Sequence, residues 1–311
     1  MEAIKINVDI NDEIQKNRDK IFNEIKDDPR VVKFLKDNKL DEKMLRDNIQ
    51  KFKDWIVGLD ECAQCTGLDT CVKEVKGHYF ELFYDGILHK RLTPCRYQIE
   101  LNKKTKYLDN YIERDFPDDL IDISLSSIDY KNESLEYLEV VDKFDAFVEH
   151  PSGPGFYIHG DVGVGKTFLT TAITNELAKK GKKIAYVHVP TFASTLRNLI
   201  SERKSLDGIL YNLKNVDILV MDDIGAESVT NWFRDEILLS ILNYRMDANK
   251  SCFYTSNLNL EELENHYMYN NKREYNKLEA VRLLERIKMT SRPISLSGEN
   301  RRDAIRSKML K

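Results

Sequence analysis

The chain has 311 residues, 41% of them hydrophobic and 32% charged, enough to build two domains with separate cores. No apolar run approaches the roughly 18 residues a membrane span requires, and the opening Met-Glu-Ala-Ile-Lys has no apolar signal core, so a cytoplasmic protein without membrane contact is expected. A net charge of −4 excludes polyanion binding by bulk electrostatics and leaves only local basic patches, such as residues 272–311 with 12 Lys/Arg against 5 Asp/Glu.

Residues 11–57 are expected to form two or three helices. Ile14, Ile21, Phe22 and Ile25 repeat at helical spacing, Val31, Val32, Phe34 and Leu35 follow Pro29, and Met44, Leu45, Ile49, Phe52, Trp55 and Ile56 make a further apolar face. Such stripes form internal core, with part of the surface left for a partner protein. Four of the five cysteines then crowd between positions 62 and 95. In a reducing compartment this argues for metal rather than disulfides. Cys62-x-x-Cys65 is a knuckle that lets two thiolates face one tetrahedral ion. Tyr79 to Tyr84 and Ile87 to Thr93, around Asp85-Gly86, read as a hairpin able to return further ligands. A structural Zn²⁺ is expected, held by four of Cys62, Cys65, His78, Cys71 and Cys95. No strand-turn-helix context supports a redox reading of Cys62-x-x-Cys65. His89 is expected to be exposed. Residues 1–105 are therefore taken as a small α+β zinc-binding domain, and the polar residues 106–134 as a linker, with Tyr130 placed to touch a nucleotide base.

Residues 135–311 carry alternating helices and strands, which predicts an α/β domain whose parallel sheet is flanked by helices. An amphipathic helix over 135–148 precedes the strand Phe156 to Ile158. That strand enters Gly160, Asp161, Val162, Gly163, Val164, Gly165, Lys166 and Thr167, and a helix follows from Phe168. Glycines in this pattern let the backbone curl so that several N–H groups meet one polyphosphate at a helix N-terminus. Residues 160–168 are thus the expected ATP site, with Lys166 on the β- and γ-phosphates and Thr167 on Mg²⁺. A strand over 183–189, ended by Pro190, a helix over 192–202 and a polar loop lead to the apolar strand 216–221, which ends in Asp222 and Asp223. There Asp222 would hold Mg²⁺ through water and Asp223 would orient or deprotonate the attacking water. The strand over 252–257 ends in Asn257, placed to contact the γ-phosphate and the water. A helix over 278–288 presents Arg286, and its competitor Arg282, as a finger for a neighbouring subunit's γ-phosphate. Arg301 or Arg302 would sense nucleotide in cis.

Several strings go beyond chemistry to ancestry: Gly160-Asp-Val-Gly-Val-Gly-Lys-Thr167, Asp222-Asp-Ile-Gly-Ala-Glu227, Trp232-Phe-Arg-Asp-Glu236, Thr255-Ser-Asn257 and Leu296-Ser-Gly-Glu-Asn-Arg-Arg302. With them the chain resembles the bacterial replicative helicase loaders of the DnaI type, AAA+ ATPases related to DnaC. The resemblance covers nearly the full length, and the Cys/His cluster matches the zinc-containing N-terminal domain of that family. It implies an N-terminal domain that binds the hexameric replicative DNA helicase. The AAA+ domain, lacking a full lid, would be a slow ATPase regulated by partner and DNA, acting in the primosome at the nucleoid with other primosome or initiator proteins. It also implies a single-stranded DNA path along Arg197 and Leu199 on one side and Thr230 and Trp232 on the other. Two alternatives remain: a transposition helper ATPase, which would not be expected to carry the Cys/His domain, and a non-hydrolysing ATP-binding adaptor.

Overall fold

In a computed structural model describing residues 9–128, 131, 133–298 and 300–301, with side chains from residue 14 onward, the chain divides after Lys106 into two units. The first opens with α1 (Asp9–Ile25), α2 (Pro29–Asp37), α3 (Glu42–Asp47) and α4 (Ile49–Ala63). The breaks are written in the caps. Asp28 accepts from Arg30 N at 2.8 Å with Pro29 opening α2, and Asp41 accepts from Met44 N at 3.1 Å to start α3. The hairpin β1 (His78–Tyr84) and β2 (Leu88–Pro94) is antiparallel, with Tyr84 opposite Leu88. Its Leu82 and Leu88 join Phe22, Val31, Leu45, Phe52 and Ile56 in one core. A further helix, α5 (Arg96–Thr105), buries none of its residues, so no apolar period marked it in advance.

The second unit is a six-stranded sheet in the order β3-β5-β6-β7-β4-β8, parallel throughout. In chain order its elements are β3 (Tyr111–Arg114), α6 (Leu135–Glu149), β4 (Gly155–His159), α7 (Lys166–Lys179), β5 (Ile184–His188), α8 (Val189–Ser201), α9 (Asp207–Asn215) and β6 (Ile218–Asp222). A π-helical turn over Trp232–Leu238 runs into α10 (Leu239–Asp247). Then come β7 (Ser251–Ser256), α11 (Leu260–Tyr267), α12 (Lys277–Thr290) and β8 (Ser291–Ser295). The strands are apolar on both sides because both faces are covered. Phe156, Ile158, Ile184, Tyr186, Ile218, Val220 and Phe253 enter one core with α6 and α7. Their neighbours Tyr157, Ala185, Val187, Leu219, Met221, Cys252 and Tyr254 enter the other, with α8 to α12.

Two readings of the sequence need correction here. Residues 106–134 are no linker. They supply the edge strand β3, and Tyr107, Tyr111, Phe116, Leu125 and Ile128 sit in the first core. Pro190 does not simply end a strand. It lies in the first turn of α8, where its missing N–H costs nothing. The segment after Asn257 spends itself on the sheet, as α11 and α12 cover one face and β8 pairs with β4. Tyr130 and Arg302 lie outside the described residues. Among the described residues no helix is long and apolar enough to cross a membrane.

Candidate functional site

The strands β4, β5, β6 and β7 end together at His159, His188, Asp222 and Ser256, and their C-terminal edge carries the site. After β4 the chain turns through Gly160 at φ +150°, where a Cβ would stand 2.0 Å from Leu296 O. Only glycine fits that close approach. The loop closes on Gly165 at φ +104°, which caps α7 and aims its N-terminus into the loop. Lys166 is 8% exposed, and its ammonium donates to Gly160 O, Asp161 O and Asn257 Oδ1, each at 2.7 Å. The lysine is thereby wrapped by its own loop and tied to the end of β7. Val164 points into the core, so only its backbone is free to serve a phosphate, and Asp161 and Val162 are exposed. Phe168 packs against the first core.

Thr167 Oγ1 donates to Asp222 Oδ1 at 3.1 Å. Mg²⁺ takes oxygen ligands and keeps several of its waters, so this hydroxyl and carboxylate are the groups that would hold such an ion. Burial pushes the Asp222 carboxyl above its ordinary range, opposed by hydrogen bonds from Thr255 and Thr167. Thr255 figures in the sequence reading only within Thr255-Ser-Asn257, with no role of its own there. Its hydroxyl donates to Asp222 Oδ1 at 2.6 Å and accepts from Asp223 N at 2.8 Å. That bond helps hold Asp223 at φ +57°. Asn257 Nδ2 donates to Asp223 Oδ1 at 3.3 Å, and His188 Nε2 lies 3.9 Å from Asp223 Oδ2. Lys166, Thr167, Asp222, Asp223 and Asn257 therefore form one connected set, with Thr255 as its hidden joint. The polar ending Thr-Ser-Asn on an otherwise apolar strand was the available signal for Thr255.

Asp222→Asn should separate stability from chemistry. The carboxyl's folded value lies above its unfolded one, so the ionised form is disfavoured by folding once pH exceeds the unfolded value, and acidification relieves that cost. The neutral amide is expected to raise the melting temperature at pH 7 by a few degrees without nucleotide, while phosphate release from ATP falls to background. A melting temperature that drops there would remove the burial argument.

The arginines separate by location. Arg301 N donates to Gly163 O at 3.0 Å and its Nε to Val164 O at 3.1 Å, while its guanidinium forms a fork with Glu133 at 2.8 and 2.5 Å. It braces the P-loop from behind, and Glu133, which sequence reading passed over, anchors it. Arg286 Nε instead donates to Asn243 Oδ1 at 2.7 Å, and Arg282 pairs with Glu279 at 2.9 Å. Neither has a hydrogen bond or ion pair to the P-loop among the described residues. Of the expected DNA path, Arg197 is exposed, Leu199 and Trp232 pack partly against the second core, and Thr230 caps the π-helical turn by accepting from Phe233 N at 3.2 Å. Glu227 is buried, accepting from Gly225 N at 2.8 Å and from the Tyr267 hydroxyl, so it shapes the loop after Asp223.

In the first unit Cys62, Cys65, Cys71, Cys95 and His78 line one cavity of about 300 Å³. Burial raises the Cys62 thiol, Lys73 pulls it back, and the other three thiols add to the rise. N–H groups of Gly77 and Lys73 lower that of Cys71. Among the described residues no three His, Cys, Asp or Glu side chains are arranged as a metal-holding group, so the donors share a cavity without forming a ligand cage.

A family model described as the primosomal protein DnaI N-terminus matches residues 1–87, and one described as the bacterial DnaA ATPase domain matches residues 143–273. The replicative helicase loader DnaI of Bacillus subtilis (strain 168) is 32% identical over 299 residues, 93% of this chain and 94% of that protein. The chain belongs to the DnaI family of replicative helicase loaders. A DnaI crystal structure matches with a TM-score of 0.54 at 32% identity, covering 61% of this chain and 98% of that one. A primosome component described as putative, from Streptococcus pyogenes serotype M3, matches at 0.51 with 32% identity, covering 64% and 98%. The helicase loader DnaC of Escherichia coli (strain K12) is 28% identical over 137 residues, 43% of this chain and 56% of its own. Membership in the DnaI family thus extends across both units, and its AAA+ part is the DnaA-like region that holds the P-loop.

Proposed function

We propose that this chain is an ATP-driven loader that grips the hexameric replicative DNA helicase through its first unit and places it on single-stranded DNA. The observation that carries the nucleotide half is the hydrogen-bonded set running from Lys166 through Asn257 to Asp223 and from Thr167 through Asp222 to Thr255. Lys166 would neutralise charge on the β- and γ-phosphates. Asp223, steadied by Asn257, would orient the attacking water. Mg²⁺, held by Thr167 and Asp222, would offset charge on the phosphate oxygens. Arg286 would act on a neighbouring subunit's nucleotide and Arg301 would report occupancy in cis, since it braces Gly163 and Val164. Exposed Arg197 would meet a phosphate of the strand, with Trp232, Thr230 and Leu199 lining its path.

Structural Zn²⁺ is part of this proposal. Its support is donor chemistry, because four thiols and an imidazole border one cavity. His78 Nδ1 lies 2.9 Å from Lys76 O, the pairing that leaves Nε2 to serve as a ligand. Metal analysis of the purified chain should give about one zinc per chain, lost in Cys62→Ser/Cys65→Ser. Zinc-free protein with an unchanged melting temperature would end this assignment. Loading itself is tested with the full chain, purified helicase, ATP and circular single-stranded DNA. Helicase should be retained on the circle only when chain and ATP are both present. Retention independent of ATP would favour the adaptor, and failure to co-elute with the helicase would remove the loader reading.

A further inference from the structure

The connection from α11 to α12 is a small hairpin rather than a slack loop. Asn276 N donates to Met268 O at 2.8 Å, Asn270 N to Glu274 O at 3.2 Å and Arg273 N to Asn270 O at 2.8 Å, with Tyr269 and Tyr275 bridged across it. Asn270 is 7% exposed and accepts from both Lys272 N and Glu274 N at 2.9 Å. Asn271 N donates to Val229 O at 2.7 Å, and Asn270 Nδ2 to Asn231 Oδ1 at 3.2 Å, which pins the hairpin to the segment before the π-helical turn. The backbone is thus held on a rigid support.

Its outward side chains are largely open to solvent. Tyr269 and Tyr275 are 53% and 59% exposed, with ring centroids 5.3 Å apart and planes at 50°. Lys272 and Arg273 are exposed and their side chains make no hydrogen bond or ion pair among the described residues. The carboxylate that follows them, Glu274, is also exposed, and it accepts from the amides of Asn270 and Asn231 at 2.5 and 3.5 Å rather than pairing with either cation. Open aromatic faces beside unpaired cations suit a polyanion that also offers flat rings. Single-stranded DNA has both, whereas a duplex hides its bases in the stack and an acidic peptide would leave the tyrosines unused.

We infer that the Tyr269–Tyr275 hairpin is a docking platform for single-stranded DNA, stacking bases on its two tyrosines and holding phosphates with Lys272 and Arg273. This rests on the loader reading and adds a contact beside Thr230 and Trp232. The test is fluorescence anisotropy of a labelled oligo-dT strand with the full chain and Mg-ATP across a salt series. Tyr269→Ala/Tyr275→Ala should weaken binding about tenfold, and Tyr269→Phe/Tyr275→Phe should keep most of it. Lys272→Ala/Arg273→Ala alters only unbonded surface side chains, so it keeps the test valid should the tyrosine pair disturb folding. It should flatten the log–log salt slope by about 1.4, at about 0.7 per phosphate contact. Wild-type affinity and slope in all variants would overturn the platform alone. Unchanged oligonucleotide affinity with lost helicase co-elution would instead make the hairpin a protein contact, also overturning it. No oligonucleotide binding by the wild-type chain would overturn both the platform and the DNA half of the loader reading.

Discussion

Lys166→Ala should lower ATP turnover by on the order of 10²–10³-fold, the loss typical of removing one preorganised charge donor from a site where negative charge develops. Two defects combine in this variant. The ammonium disappears from the phosphate end, and Gly160 O, Asp161 O and Asn257 Oδ1 lose a shared donor. Asn257 is then less constrained, and through its amide so is Asp223. Lys166→Arg is expected to fare little better, because a planar fork cannot replace a compact ammonium set 2.7 Å from three acceptors around it. Steady-state phosphate release measures the loss, and calorimetry with Mg-ATP shows how much of it is binding. Turnover within threefold of wild type in both variants would mean that the chemistry is elsewhere. Helicase co-elution without nucleotide should persist in both, since the first unit has its own core.

That site was legible because its chemistry is local in sequence. The P-loop compresses a turn, a helix N-terminus and the side chains of Lys166 and Thr167 into eight residues, and Asp222 and Asp223 end an uninterrupted apolar strand. What escaped was long-range or disguised. Thr255 matters because β7 lies beside β6 and presents its hydroxyl to Asp222, a relation between residues 33 apart that no spacing rule encodes. Glu133 and Arg301 are 168 apart. The strand β3 is four residues long with an irregular register inside a polar stretch, and its Glu113 breaks the apolar pattern. The strand β8 contains Pro293, ordinarily a mark against a strand. It is tolerated because β8 is an edge with a single partner, β4. In the first unit the cysteine spacing drew the donors to one cavity, but spacing alone cannot choose four of five ligands.

Arg245→Met should cost about 4 kcal/mol of stability in the second unit without touching the chemistry. Arg245, on α10, is fully buried and has no carboxylate partner among the described residues. Its guanidinium instead donates to five backbone oxygens: Leu213 O, Lys214 O and Val216 O at 2.9, 3.3 and 3.0 Å, and Asp217 O and Ser251 O at 3.1 and 2.7 Å. Leu213 and Lys214 belong to the last turn of α9, whose carbonyl end carries partial negative charge. Val216, Asp217 and Ser251 lie where β6 and β7 begin. One side chain thus satisfies the acceptors at the N-terminal edge of the sheet. Methionine fills similar volume but donates nothing, leaving several buried carbonyls without a partner. At about 2–4 °C per kcal/mol for a domain of this size, the melting temperature should fall by about 10 °C. The five residues of β6 separate this edge from Asp222 by about 16 Å, so Mg-ATP should still raise the variant's melting temperature as it does the wild type's. An unchanged melting temperature would show that the carbonyls find other partners. A lost Mg-ATP response in a chain that remains folded would show that the two edges are coupled through the strands.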